Sequence, residues 1–129
     1  MEELRKKFIV EEKIDEKKIA TYIERVLRFG KLSVDGSIII ERKLSTKDQV
    51  GLALIMRYLA NHLEKSISAE VRVKELSQSL GIPEDQVTAR LVDLNREKLA
   101  IRINKGVYKV NPARIENFLN QLESKYLKQ

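Results

Sequence analysis

Nine consecutive residues near the middle of the chain, Leu52-Ala53-Leu54-Ile55-Met56-Arg57-Tyr58-Leu59-Ala60, leave almost no polar face if wound into a helix. In water such a helix has to be covered on more than one side. The remainder of this 129-residue chain is therefore read as what surrounds it. Ser45-Thr46-Lys47-Asp48-Gln49 supplies its start, with two overlapping capping boxes, Ser45 with Asp48 and Thr46 with Gln49. The spacing predicts a helix to about Lys65, in which Gly51 permits close contact with a neighbour. Arg57 interrupts the apolar run, which is too short to cross a bilayer.

The covering elements follow from local signals. Upstream, residues 2–13 read as a short charged helix with Leu4 and Phe8 on one side. A second helix is capped by Asp15, carries Ile19, Ile23, Val26 and Leu27 on one stripe, and ends at Gly30. The β-branched residues around Asp35-Gly36 predict a hairpin at about 31–43 on a two-residue turn. Downstream come an extended piece, Glu70 to Val73, a helix from Lys74 to Leu80 stopped by Gly81, and a helix opened by Pro83 that runs to about Leu99. Ala100–Ile103 and Val107–Val110 alternate like strands about Asn104-Lys105-Gly106. Pro112 starts a last helix with Ile115, Phe118, Leu119, Leu122 and Tyr126 on one face. The expected class is mainly α with small β-hairpins, α+β.

From Thr46 onward the order is helix, short strand, helix, tight turn, helix, hairpin. In the segment from Val73 to Leu94, Leu76 and Leu80 seat the first helix of a pair. Gly81 turns the chain, Ile82 plugs the corner, and Val87, Leu91 and Leu94 hold the second helix. With the hairpin of Ala100–Ile103 and Val107–Val110 that follows, the chain resembles the winged helix-turn-helix family over roughly residues 46–110. This divides the sequence into an N-terminal helical and hairpin extension (1–45), a winged-helix unit (46–111) and a C-terminal helix (112–129) for packing or dimerisation.

The resemblance implies double-stranded DNA as partner, with the helix from Pro83 in the major groove and the hairpin as a wing on the backbone or minor groove. Gln86, Thr88 and Arg90 are the candidates for base edges. Lys105 at the wing tip, Arg102 and Lys109 on its strands, and Arg72, Lys74, Arg90, Arg96 and Arg114 are the candidates for phosphates. Charge agrees with a polyanionic partner. The net charge is +6, and residues 100–129 alone carry six Lys/Arg against two Asp/Glu. One stripe disagrees. With Val87, Leu91 and Leu94 inward, the outward residues are Asp85, Ala89, Val92, Asp93 and Arg96, a surface that suits a protein or RNA contact inside a larger complex. The expected function is a DNA-binding transcription regulator or chromatin-associated factor, the alternative such a contact module.

Other chemistry finds little support. There is no cysteine and one histidine, His62, so a zinc-finger cluster is excluded. No nucleophile elbow or phosphate-cradling glycine loop is present. The expectation is no enzyme, no cofactor, no metal and no small-molecule ligand. The 34% of charged residues and the lack of cysteine suit a cytoplasmic protein of a hot-living organism. A homodimer is expected, because helix-turn-helix readers commonly bind paired half-sites. The terminal helices compete as its contact surface.

Overall fold

The structure is a computed structural model that describes residues 1–8 and 15–127. It is mainly helical, with two small antiparallel sheets. The helices are α1 (Glu2–Phe8), α2 (Glu16–Val26), α3 (Thr46–Leu63), α4 (Val73–Leu80), α5 (Glu84–Arg96) and α6 (Ile115–Tyr126). The strands are β1 (Gly30–Leu32), β2 (Ile38–Ile40), β3 (Val71–Arg72), β4 (Ala100–Asn104) and β5 (Val107–Val110), and a turn of 3-10 helix, Pro112–Arg114, precedes α6. Residues 9–13 of the expected first helix lie outside the described residues.

α3 is the central element. Val50, Leu52, Ala53, Leu54 and Ile55 have no exposed surface, and Met56 and Leu59 have almost none. α2, α4, α5, α6 and both sheets pack around it. At its start Ser45 Oγ accepts from the Asp48 N–H at 3.2 Å, but the return half of the expected capping box is replaced. The Ser45 N–H donates to the Tyr126 hydroxyl (3.1 Å), which donates in turn to Asp48 Oδ2 (2.6 Å). Buried Asp48 is thus satisfied by α6, with Lys125 Nζ 3.3 Å away. Gly51 has the expected packing role. A Cβ there would come within 2.5 Å of the Phe118 ring and 3.1 Å of Leu99.

Three boundaries differ from expectation. α3 stops at Leu63, because Glu64 turns to extended backbone and the Asn61 amide donates to the Ile67 carbonyl at 2.8 Å. α5 stops at Arg96. Lys98 adopts φ 68°, and the Leu99 N–H reaches back to the Leu94 carbonyl (3.0 Å), closing the helix without a glycine. α2 ends at Val26, ahead of Gly30, which instead opens β1. There a Cβ would overlap the Ile39 carbonyl oxygen.

The first hairpin pairs Gly30 with Ile40 and Leu32 with Ile38, and its loop is longer than the two-residue turn expected. The Ser33 N–H donates to the Ser37 carbonyl (2.9 Å), and the Gly36 N–H donates to the Ser33 carbonyl (3.0 Å). Val34, Asp35 and Gly36 form a three-residue loop with Gly36 at φ 90°. The Asp35 carboxylate accepts from the Ser33 hydroxyl and from the Ser37 N–H, bonds that hold its pKa down to about 2. This hairpin lies on α4, where the Ile38 N–H donates to Ser79 Oγ at 3.3 Å.

The second sheet has the order β3-β5-β4. Val71 pairs with Tyr108 and Ala100 with Val110, and a bulge falls between Arg102 and Asn104. α6 lays Ile115, Phe118, Leu119 and Leu122 into the same core as α3. Its apolar stripe is therefore buried within the chain and is not open to a second copy. A bidentate pair, Arg25 to Glu123 at 2.9 and 2.7 Å, fixes α2 to α6. The Arg25 hydrogen bonds hold the Glu123 carboxyl below the usual range. No helix among the described residues is long and apolar enough to cross a membrane.

Candidate nucleic-acid interface

The pair α4–α5 is joined by three residues, Gly81-Ile82-Pro83. Gly81 takes φ 67°, and the Gly81 and Ile82 amides both return to the Ser77 carbonyl, at 3.0 and 3.3 Å. Ser77 also donates its hydroxyl to the Ile82 carbonyl at 2.6 Å. Leu76, Ile82, Val87, Leu91 and Leu94 are buried, which sets the rotation of both helices. The face of α5 turned to solvent then carries Asp85, Gln86, Thr88, Ala89, Val92 and Arg96, all exposed. Arg90 and Asp93 are half-buried and pair with each other across one helical turn, Nε to Oδ2 at 3.1 Å. The contact lacks hydrogen-bond alignment, so the Arg90 Nε–H has an ionic neighbour but no hydrogen-bond acceptor among the described residues. Asp93 thereby offsets the charge of Arg90 instead of presenting its own.

After α5 the left-handed Lys98 sends the chain straight into β4, and the Asn95 amide clamps this corner by donating to the Ala100 carbonyl at 2.9 Å. Residues paired across antiparallel strands share a sheet face. Arg102 pairs with Tyr108 and so lies on the face of buried Tyr108 and Val110. Lys109 pairs with Ile101, and Arg72 with Val107, on the opposite face. The two strand cations of the hairpin are thus directed to different sides. Lys105 lies in the turn beside Gly106 (φ 74°).

The turn sits beside the start of α4, where the Val73 N–H donates to the Gly106 carbonyl at 3.0 Å. This gathers Arg72, Lys74 and Lys105, from positions about thirty residues apart in the sequence. Arg72, Lys74, Arg96, Arg102, Lys105, Lys109 and Arg114 are all exposed or partly so, and none forms an ion pair among the described residues. Gln86, Thr88 and Arg96 stay with α5, and Arg114 with the turn before α6.

Two carboxylates near these cations were not singled out from the sequence. A recess of ≈ 430 Å³ beside the turn is lined by Arg72 and Lys105 together with Asn104, Glu70 and Glu75. Glu75 is already occupied, accepting from Arg57 Nη1 (2.9 Å) and from the Arg72 N–H (3.3 Å), whereas Glu70 is exposed. The pairing of β3 with β5 brings residues 70–75 to residues 104–107, which no local sequence signal announces. His62 does not line this recess and sits at the end of α3, its Nδ1 3.0 Å from the Tyr58 carbonyl. Comparison of the chain with protein-family models, with curated proteins and with solved structures finds no match.

Proposed function

We propose that residues 46–110 are a winged helix and that the protein is a non-enzymatic, homodimeric DNA-binding protein of the regulator or chromatin-factor type. One observation carries the reading. The order α3-β3-α4-α5-β4-β5, with β3 paired to β5 at the sheet edge, leaves exposed cations on the β4–β5 hairpin and at the start of α4 that form no ion pair among the described residues. Lys105, Arg72 and Lys74 at the hairpin turn, with Arg102 on its strand, are assigned to phosphates, and Gln86 and Thr88 on α5 to base edges. Arg90 has the weaker part, because Asp93 holds it.

Affinity for generic duplex DNA across a salt series tests this, with wild type beside the double variant Arg102→Ala/Lys105→Ala. Micromolar or tighter binding that falls steeply with salt is expected, with a weaker affinity and a shallower salt slope in the variant. An unchanged variant would overturn the hairpin face. No binding at low salt would overturn the DNA reading.

A second reading has its own support in the exposed Asp85, Ala89 and Val92 of α5, which would meet phosphates poorly. It makes the same unit a protein- or RNA-contact module in a larger complex. Co-purification with such a complex, without duplex binding, is its signature.

A further inference from the structure

Large apolar side chains on a surface are unremarkable when scattered and informative when gathered. Nine are exposed among the described residues, and six of them fall in two places. Leu4 and Phe8 lie four residues apart on α1 and so share one helical face, with Met1 just ahead of its start. Leu27, Val34 and Leu63 rim a groove of ≈ 480 Å³ between α2, the first hairpin and the end of α3. Ile23, Val26, Met56 and Leu59 line it more deeply, and among the described residues Lys31 and Glu64 are the charged ones that line it.

The two features are complementary. α1 buries none of its residues, and Phe8 is 90% exposed, so α1 stands clear of its own chain's groove. A seven-residue helix is marginal in water unless a surface holds its apolar face. The groove offers an apolar bed with few charges, and α1 is about 10 Å long. Since every copy has one helix and one groove, a mutual exchange closes as a two-fold pair with no surface left over.

We propose that the α2–hairpin–α3 groove is a dimerisation site whose occupant is α1 of a second copy of this chain, with Leu4 and Phe8 as the anchors. It rests on the dimeric state in the proposed function, not on the DNA contacts, and the test contains no DNA. Failure here therefore leaves the DNA contacts to be judged by the salt series.

Sedimentation equilibrium of the full chain, up to about 300 µM, reads the dimer directly. Phe8→Asp and Leu63→Asp serve as the two variants. Both positions are exposed, and thermal melts confirm that each variant folds. The expected result is a wild-type dimer with a micromolar Kd that either substitution weakens tenfold or more. A wild type that stays monomeric throughout overturns the proposal, including the case where Phe8→Asp lowers stability because α1 docks on its own chain. A dimer undiminished by both substitutions overturns it equally.

Discussion

Gly51 and Tyr126 show how single atoms set the packing of α6 on the central helix. The Phe118 ring occupies the space that a Cβ at position 51 would need, and both sit in a core where neighbours have little room to move. Gly51→Ala is expected to destabilise by about 1–3 kcal/mol through overpacking. Adding Phe118→Leu should recover part of the loss, and denaturant titration of the single and double variants measures both. The Tyr126 hydroxyl serves two partners, accepting from the Ser45 amide and donating to buried Asp48. Tyr126→Phe leaves both short of a partner and is expected to cost about 1–3 kcal/mol, read by the same titration. Gly51 was legible in the sequence as a contact glycine. Tyr126 was legible only as one more apolar position on a stripe, because its bond partners lie 78 and 81 residues away.

Among the elements, the first hairpin carries the clearest dependence on pH. Asp35 is ionised in the loop and held there by the Ser33 hydroxyl and the Ser37 amide, with its pKa lowered to about 2 from an ordinary 3.8. A lowered carboxyl favours the folded state above its unfolded pKa, and that contribution disappears as pH falls from about 4 to about 2. Glu123, lowered by its bonds to Arg25, acts in the same direction on the α2–α6 contact. The thermal midpoint is therefore expected to fall on acidification through this range. Asp35→Asn should show a smaller fall than wild type, and a scan of melting temperature at several pH values decides it. The elements themselves were largely readable, since capping residues, glycines and apolar spacing are local. Their ends were less so. Lys98 takes a left-handed turn that its type does not favour, because the corner is closed from outside by Asn95 and Asn111. The loop at Asp35-Gly36 has a third residue because Ser33 and Ser37 supply its closing bonds.

Over the whole molecule the balance of charge decides how the proposed DNA face behaves. Removing one phosphate-neutralising cation should make the slope of log affinity against log salt shallower by about 0.9, so Arg102→Ala/Lys105→Ala should change it by roughly 2. A titration at four or five salt concentrations resolves that difference. Arg90→Ala is expected to change the slope less than either, since Asp93 already offsets that cation.

The sequence alone determined the order of helices and strands, the burial of the central helix and the rotation of α4 and α5. Those depend on spacing and caps within a few residues of one another. Only the tertiary structure decided which charges meet. It sent Arg102 and Lys109 to opposite faces through the hairpin register, and brought Arg72 and Lys74 beside Lys105 through the β3–β5 pairing. It also buried the α6 stripe inside the chain and, among the described residues, left α1 and the groove uncovered. The physical reason is similar in most of these cases: the relations join residues distant in sequence, and only a closed core fixes the distances between them.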